Sequence, residues 1–321
     1  MTINNALAPA ADVSCVMQQK LNVRQRLERL VDELRADRNP TDKALLDRVK
    51  ACGVAWDGRY LCRTPACFRC REINIRKQQR ETFNLLSHFS NYELAWVTVV
   101  LGATSNIKGL TPLIAKSRQD TRNCFVAARR RDPRWHDTYL RAWHEIDAVG
   151  ADHLPILPPD RKRLIPALAP MAAQTLDATW IPTWHGLMFR NGLSDNEIKC
   201  QLSRQWKLDH QVDVQTLDPV KTLAANLKTL SGYPNKFHTT VTLESEKGPI
   251  DDPWPVSWEA KFFGWINAAQ RNPFESIRMT IQQFVPMPVA EIPDSIECLS
   301  PMPFTYSFTR VPMYNNTGAL A

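Results

Sequence analysis

The feature that most restricts the fold of this chain is a cluster of four cysteines within nineteen positions: Cys52, Cys62, Cys67 and Cys70. The other four cysteines stand alone in the sequence: Cys15, Cys124, Cys200 and Cys298. A zinc ion takes four soft ligands in a tetrahedron, and a C-x2-C pair on a tight turn supplies two of them. The last two clustered cysteines form such a pair, and the first two flank a predicted hairpin whose turn is Asp57-Gly58. The pattern therefore predicts a structural zinc site, with two disulfides or four unrelated thiols as the alternatives.

Length and composition are those of an ordinary globular protein. The 321 residues can bury a substantial core, and a hydrophobic fraction of 44% with a charged fraction of 23% is typical of such chains. The sequence contains no uninterrupted run of about eighteen apolar residues, and no basic segment precedes an apolar block at its start. We therefore expect a cytoplasmic protein without a membrane partner, in which reduced thiols favour metal binding over disulfides.

The net charge of +7 is distributed unevenly along the chain. Basic residues concentrate in three segments: 69–80, 118–134 and 161–163. Such patches attract phosphate backbones through counterion release, although a charged run also serves as an ordinary solvated face. Next to a zinc knuckle, the first segment favours nucleic acid as the partner. Its basic residues are the candidate nucleic-acid-binding positions: Arg69, Arg71, Arg76, Lys77 and Arg80.

Hydrophobic periodicity divides the rest of the chain into strands and helices. Strands are predicted from apolar or alternating runs at 94–101, 138–149, 179–189 and 210–217. Helices are predicted at 16–34, from 40 onward, and at 71–88, 111–131, 194–206, 218–232 and 256–270. Pro182 interrupts the third strand, which places it at a sheet edge or a bulge. Segment 154–170 is predicted to be a Pro-rich connection.

This order of elements predicts an α+β fold with an antiparallel sheet core and surrounding helices. A zinc-binding segment and N-terminal helices precede that core. The predicted division is an N-terminal helical region at 1–50, the zinc-binding segment and basic helix at 51–90, the α+β domain at 91–245, a C-terminal helical region at 246–285 and a Pro-rich tail at 286–321.

Four segments resemble motifs of one protein family. The run C-R-T-P-A-C-F-R-C-R at 62–71 is similar to a cysteine cluster that ends in C-P-x-C before basic residues, and W-V-T-V-V at 96–100 is similar to an apolar strand that ends in threonines. The run W-H-E-I-D at 143–147 resembles a strand with an acidic residue, and I-P-T-W-H-G-L at 181–187 resembles a metal-binding strand of the form H-P-H-L-H-G-L. The family is that of the replication initiator (Rep) proteins of rolling-circle plasmids, which are DNA-nicking endonucleases of the HUH type. The resemblance covers residues 50–240.

The resemblance implies a transesterification on DNA, either single-stranded or folded as an origin hairpin. A tyrosine oxygen attacks a phosphodiester, and a divalent ion, Mg²⁺ or Mn²⁺, polarises the phosphate. His185 and Glu145 are the implied ligands of that ion, while Thr183 stands where the family has a second histidine. The implied helix at 218–232 has Asn226 at the position of the tyrosine, and Asn226 cannot form a phosphotyrosine. Tyr233 and Lys228 are therefore the candidate catalytic residues.

Three functions remain open from the sequence. The first is an initiator-like DNA-binding protein of a plasmid or mobile element, with nicking activity retained, degenerate or lost. The second is a zinc-containing nucleic-acid-binding regulator without nuclease activity, and the third is a partner-binding protein whose zinc stabilises an interaction surface. The first requires segments 96–101, 140–146 and 180–189 to be neighbouring strands of one antiparallel sheet, with Glu145 and His185 facing the same side.

Overall fold

The computed structural model describes residues 29–30, 32, 40–53, 60–170, 177–232, 234–245, 248–268 and 273–281. The described residues from Leu30 onward belong to one compact unit. The predicted Pro-rich tail and the predicted Asp57-Gly58 turn lie outside these ranges. The same is true of the predicted helix at 16–34, apart from residues 29, 30 and 32, which are helical.

The fold is α+β and is built around an antiparallel sheet. Its strands are β1 (Leu94–Val100), β2 (Tyr139–Val149), β3 (Thr179–Phe189), β4 (Val212–Thr216), β5 (Thr240–Ser245), β6 (Gly248–Pro253) and β7 (Arg278–Ile281). Its α-helices are α1 (Pro40–Ala51), α2 (Phe68–Leu86), α3 (Leu110–Arg129), α4 (Pro159–Leu168), α5 (Asp195–Ser203), α6 (Leu223–Gly232), α7 (Val256–Ala268) and α8 (Pro273–Ser276). None of these described helices has both the length and the apolar character that a membrane crossing requires.

Five strands form the main sheet in the order β4-β1-β3-β2-β7, and every neighbouring pair is antiparallel. The interior strands β1, β3 and β2 are the ones with the most nearly continuous burial. A strand with neighbours on both edges and helices on both faces has little room for exposed polar side chains. Segments 96–101, 140–146 and 180–189 thus lie in neighbouring strands of one antiparallel sheet, as the initiator-like hypothesis requires.

Helices cover both faces of the sheet, so the fold has three layers. One face packs against α3 and α5 through a core that includes Val97 and Phe125. The opposite face packs against α2 and α6 through Trp143, Leu86 and Leu227. Side chains alternate along a strand, so successive residues point to opposite faces of the sheet and contact different helical layers. The basic helix predicted after the cysteines is α2, and it lies on the second face.

Pro182 lies in an interior strand, where a bulge in the facing chain accommodates it. The Leu101 amide donates to the Pro182 carbonyl at 2.9 Å, whereas Thr104 pairs with Trp180. The segment after β1 therefore carries one extra residue over this interval, which interrupts the regular ladder. A bulge is one of the two positions predicted for this proline, because proline lacks the amide hydrogen that a regular ladder needs.

Segment 154–170 contains helix α4, where the sequence predicted an irregular connection. Pro158 and Pro159 lie at the start of the helix, where a missing amide hydrogen has little cost. Only Leu164 and Ile165 of this helix are buried. Two buried positions give too weak a period for sequence reasoning to recognise.

The C-terminal part contributes strands as well as the predicted helix. Helix α7 lies where it was predicted and buries Trp258, Phe262, Phe263 and Ile266. The β5–β6 hairpin spans the predicted domain boundary after residue 245, and β7 pairs with β2 as an edge strand of the main sheet. A predicted separate helical region at 246–285 is thus partly strand. The four residues of β7 are too few for an alternating pattern to appear in the sequence.

Candidate functional site

The structure brings the four clustered cysteines to one point. Their sulfur atoms all lie within 4.8 Å of one another. The shortest separations are 3.5 Å for Cys62–Cys70, and 3.6 Å for both Cys52–Cys70 and Cys52–Cys67. A disulfide requires about 2.05 Å between its sulfur atoms, and all four thiols are free. They are placed to hold one metal ion.

Local backbone structure shapes the cysteine cluster. Arg63 has a φ of 53°, and its amide donates to the Cys70 sulfur at 3.3 Å. Cys67 precedes the first residue of α2, so Cys67 and Cys70 lie about one helical turn apart and on the same side. The Arg48 guanidinium of α1 donates to the Cys62 carbonyl at 2.9 Å. The cluster thus joins α1 to the start of α2.

The clustered thiols share protons, which shifts their pKa values in opposite directions. The hydrogen bond from Cys62 lowers the pKa of Cys67 to about 5, while that bond together with burial raises the pKa of Cys62. Burial raises the pKa of Cys70 to about 11. A cluster without an ion therefore holds a thiolate beside protonated thiols at neutral pH, and binding of a metal ion must release the remaining protons.

A second group of side chains lies on the sheet face that α2 and α6 cover. Thr98 on β1 is directly opposite His185 on β3, and the Thr98 hydroxyl lies 3.0 Å from His185 Nδ1. His185 Nε2 lies 2.8 Å from Glu145 Oε2 on β2. The three side chains form a continuous chain across the interior strands of the sheet. The requirement that Glu145 and His185 face the same side is met.

Electrostatics keep Glu145 ionised, although its side chain is only 8% exposed. Burial opposes the charged form, but the hydrogen bond from His185 and the positive charges of His185, His238 and Arg161 outweigh it, so the pKa of Glu145 lies below its usual value. An ionised carboxylate only accepts hydrogen bonds, so His185 Nε2 is the donor to Glu145. The direction of the hydrogen bond between Thr98 and His185 Nδ1 depends on the ring, since a neutral ring accepts at Nδ1 and a charged ring donates there.

The divalent-ion site implied by the resemblance has fewer protein ligands than expected. Among the described residues, the cysteine cluster is the one group of three or more cysteine, histidine or acidic side chains close enough to share an ion. Thr183, at the position of the second histidine, is buried and pairs with Glu145 across the sheet. An ion at His185 Nε2 would take the place of the proton shared with Glu145, and solvent oxygens would complete its shell.

Buried polar contacts attach α2 to the strand that carries Glu145. Gln78 Oε1 accepts from Trp143 Nε1 at 3.1 Å and from the Arg141 guanidinium at 2.9 Å. Arg141 also pairs with Glu81 at 2.6 Å. The buried positions of α2 recur every four residues, and three of them are polar: Asn74, Gln78 and Thr82. A search for apolar periodicity does not find such a face, so sequence reasoning missed it.

A narrow cleft borders Glu145 and is also lined by Pro234, Phe237, His238 and Phe262. His238 lies between α6 and β5 and contributes to the electrostatic stabilisation of Glu145. No motif marks His238, because it stands in a short connection without a recurring pattern. Thr98 was also missed as a site residue, since one hydroxyl in an apolar strand is ordinary.

Helix α6 places the residue at the expected nucleophile position in a structural role. Asn226 is buried, and its amide donates to Asn91 Oδ1 at 3.1 Å and to the Asp218 carbonyl at 2.8 Å. Asn91 precedes Thr98 by seven residues. Asn91 belongs to the 3₁₀ turn at 91–93 that precedes β1, so Asn226 packs near the start of that strand. The helix also begins at Leu223 rather than at the predicted residue 218.

The other two catalytic candidates have different outcomes. Lys228 is exposed on α6, and its carbonyl accepts from Gln79 of α2 at 2.9 Å. Tyr233 lies outside the described residues. Its chain neighbour Pro234 lines the cleft beside Glu145. The C-terminal end of α6, rather than the position of Asn226, therefore approaches the acidic residue of the site.

Helix α2 presents a line of arginines to solvent, called the arginine stripe here: Arg69, Arg76 and Arg80. Their spacings of seven and four residues place them on one side of the helix. Ile73, which is 42% exposed, lies between them, and Phe68, which is 49% exposed, lies at the N-terminal end. Among the described residues, no acidic side chain forms a salt bridge with Arg76 or Arg80. Arg76 and Arg80 therefore give the stripe an accessible positive surface.

The remaining predicted basic positions are used differently. Lys77 is exposed but pairs with Glu81 at 3.7 Å and with Glu275 at 3.2 Å, and Arg71 is half-buried. In the segment 118–134, the Arg131 guanidinium donates a hydrogen bond to the Gln201 side chain. In the segment 161–163, the Arg161 guanidinium forms a salt bridge with Asp147 at 2.8 Å. Contacts within the protein thus engage some of the basic side chains that the sequence predicts to bind nucleic acid.

Comparison with protein-family models, with curated proteins and with solved structures finds no match for this chain. Its function is therefore inferred from the arrangement of its own side chains.

Proposed function

We propose that this chain is a DNA-binding protein of the replication-initiator type, from a plasmid or mobile element. The observation that carries the proposal is the 2.8 Å contact between His185 and Glu145 on neighbouring interior strands. The two motifs that contain these residues are separate in the sequence, at 143–147 and 181–187, and an initiator-like site requires them to meet on one side of one sheet. If His185 were only a histidine packed in the core, or if the two residues formed an ordinary surface ion pair, the two motifs would not be required to meet.

The arginine stripe supports nucleic acid as the partner. Guanidinium groups bind phosphate through paired hydrogen bonds and keep their charge at every relevant pH. Helix α2 packs on the same sheet face as the His185–Glu145 pair, so both features lie on one side of the sheet. The exposed Phe68 and Ile73 add apolar surface beside the stripe, where a base or sugar can pack.

We assign zinc as the ion of the cysteine cluster. Zinc–thiolate bonds are about 2.3 Å long, and a tetrahedron of that radius has edges of about 3.8 Å. The shortest sulfur–sulfur separations, 3.5 and 3.6 Å, come close to that edge. Four thiolates leave no open position for a substrate, so the ion is structural. Its role is to fix the start of α2 and thereby the direction of the arginine stripe.

Nicking activity is the more specific part of the proposal. His185 and Glu145 are the residues that would hold Mg²⁺ or Mn²⁺, and such an ion supplies polarisation of a phosphodiester. Tyr233, which lies outside the described residues, is the candidate nucleophile, because Asn226 cannot form a phosphotyrosine. Lys228, exposed one turn before the end of α6, is the candidate phosphate contact. Asn226 carries no catalytic role, because its amide is bonded to Asn91 and Asp218.

The proposal is tested by incubating the purified chain with labelled single-stranded and hairpin DNA in the presence of Mn²⁺. Binding is measured by the shift of the labelled DNA, and nicking by a covalent protein–DNA adduct on a denaturing gel. We expect binding, and an adduct that the Tyr233→Phe variant loses. Absence of DNA binding at low salt contradicts the proposal as a whole, while binding without an adduct removes the nicking step.

The second candidate function is a zinc-containing nucleic-acid-binding regulator without nuclease activity. It is favoured by Thr183, which leaves one histidine where the family has a pair, and by the structural use of Asn226. Both candidates predict that binding depends on the arginine stripe. They differ in the adduct experiment, since the regulator binds DNA and forms no covalent product.

A further inference from the structure

Asp213 and Gln215 are polar side chains of the edge strand β4, and they point to the same sheet face as His185. In the sheet register, Asp213 is opposite Thr98, and the other neighbour of Thr98 is His185. Directly opposite residues of an antiparallel pair point to one face of the sheet. Val212 of β4 accordingly packs in the core on the other face. The two polar side chains therefore lie beside the site, two strands away from His185.

The two side chains are bonded to each other and are open to a ligand. Gln215 Nε2 donates to Asp213 Oδ2 at 2.5 Å. Both residues are half-buried, and β4 has no strand on its outer side in the main sheet. Among the described residues, no lysine, arginine or histidine forms an ion pair with Asp213. A ligand can therefore approach the pair from the open edge, and the carboxylate keeps lone pairs to accept its hydrogen bonds.

The pair presents two hydrogen-bond acceptors followed by one donor. An ionised carboxylate only accepts hydrogen bonds, so the Gln215 atom that faces it is the amide nitrogen, which carries a second hydrogen. Unpaired guanine presents the complementary order on its Watson–Crick edge, because its N2 amine and N1 hydrogen are donors and its O6 is an acceptor. Adenine, cytosine and thymine each present a single donor beside acceptors that a carboxylate repels. Guanine is thus the base whose edge matches the pair at three points.

We propose that Asp213 and Gln215 read an unpaired guanine in the DNA strand that this sheet face binds. Asp213 accepts hydrogen bonds from guanine N1 and N2, and Gln215 donates to O6. Trp96, the half-buried register partner of Gln215, offers aromatic surface beside the base. This role rests on the proposed function, since it requires that the chain binds DNA, and it makes the pair a determinant of sequence specificity.

The preference for guanine is measured by fluorescence anisotropy of the full chain with three labelled single strands. All are oligothymidines, of which one contains a single guanine, one contains a single inosine and one is unsubstituted. We expect the guanine strand to bind about 5- to 150-fold more tightly than the unsubstituted strand, which is the range that paired hydrogen bonds to a base supply. The inosine strand lacks the N2 amine, so its affinity should fall between the other two.

Variants of the pair separate base reading from folding and from charge. Asp213→Asn replaces an acceptor by a donor and should abolish the preference, while its binding to the unsubstituted strand should not fall, which also shows that the variant is folded. Gln215→Leu removes the donor to O6 and should lower the preference without abolishing it. Asp209→Asn is the matched control, because it removes the same charge from an exposed carboxylate in the turn before β4 and should keep the preference.

The outcomes distinguish this role from the proposed function. If the wild type binds the guanine strand and the unsubstituted strand equally, or if the preference persists in Asp213→Asn, the reading of guanine is overturned and the DNA-binding proposal stands. Absence of binding to every strand at low salt contradicts the proposed function and the reading of guanine together.

Discussion

At the scale of single residues, Asn226 determines how helix α6 is attached to the rest of the protein. Its buried amide donates to Asn91, just before β1, and to the Asp218 carbonyl, just before the helix. These two bonds connect the start of α6 to the start of an interior strand. The side chain at this position therefore stabilises the loop that leads into the helix.

Replacing Asn226 by alanine should lower the free energy of unfolding by about 1–3 kcal/mol, because it leaves a buried acceptor and a carbonyl without their donor. The matched control is Lys228→Ala on the same helix, where an exposed side chain should matter by less than about 0.5 kcal/mol. Urea unfolding of the three proteins measures both values. Equal stability of Asn226→Ala and the wild type would contradict the structural role.

Sequence reasoning predicted the residues of the site unevenly. The contact between Glu145 and His185 could be anticipated, because each residue lies in a motif with several neighbours that resemble the family. Thr98 and His238 were missed because each is a single polar residue, and what distinguishes them is contact with residues distant in the chain. Such contacts depend on strand register, and one sequence read without its fold does not reveal register.

At the scale of elements, α2 joins three features on three of its sides. Its first turn contains Cys70 of the cysteine cluster, its buried face holds Gln78 against β2, and its exposed face carries the arginine stripe. The direction of the stripe should therefore depend on both the cysteine cluster and the buried polar contacts. A change at either end should alter the helix as a unit.

Loss of one thiolate should remove the ion and weaken α2. The wild-type chain is expected to contain one zinc ion, and Cys70→Ser none, as measured by elemental analysis. Metal removal should also lower the protection of α2 amides against hydrogen exchange, since binding of the ion contributes to folding. Cys200→Ser, an exposed cysteine outside the cluster, is the control and should keep its zinc. Equal metal content in all three proteins would contradict the assignment.

Glu81 of α2 should make stability depend on pH. Burial opposes its charged form, but Arg141, Lys77 and Arg278 outweigh that effect, so its pKa in the folded chain is lowered. The unfolded value is about 4.3, so the stabilisation is complete above that pH and is lost as pH falls through the lower folded value. Glu81→Gln should therefore lose less stability than the wild type between about pH 5.5 and pH 3.5.

Urea unfolding at the two pH values measures this difference. Glu244→Gln, an exposed carboxylate on the β5–β6 hairpin, is the control and should follow the wild type. If Glu81→Gln and the wild type lose the same stability on acidification, the ion pairs of Glu81 do not stabilise the fold.

A helix or strand was predictable where one of its faces, or the whole element, is buried. Strands β1, β2 and β3 have long apolar runs, and α7 has aromatic residues at helical spacing, so each was found near its observed bounds. Helix α4 and strand β7 were not found, because each buries only two side chains. Their structure is set by the packing partners that the rest of the chain provides.

At the scale of the whole molecule, the sheet is the middle of three layers and separates two helical surfaces. Helices α3 and α5 pack on one face, and α2 and α6 pack on the other. Exposed arginines occur on both layers, since Arg122 and Arg130 also face solvent on and after α3. Net charge alone would attract nucleic acid to either layer. The proposed function assigns binding to the α2 layer, which also carries the His185–Glu145 pair.

The most direct test of this account is the salt dependence of binding to a fluorescent single-stranded oligonucleotide, measured by anisotropy for three proteins. The wild type should bind with an affinity that falls linearly with the logarithm of salt concentration. The double variant Arg76→Gln/Arg80→Gln should bind more weakly, with a slope smaller by about 1.4, since each lost phosphate contact removes about 0.7. The matched double variant Arg122→Gln/Arg130→Gln on the opposite layer should bind like the wild type. Equal weakening of both double variants, or no binding by the wild type at low salt, would contradict the account.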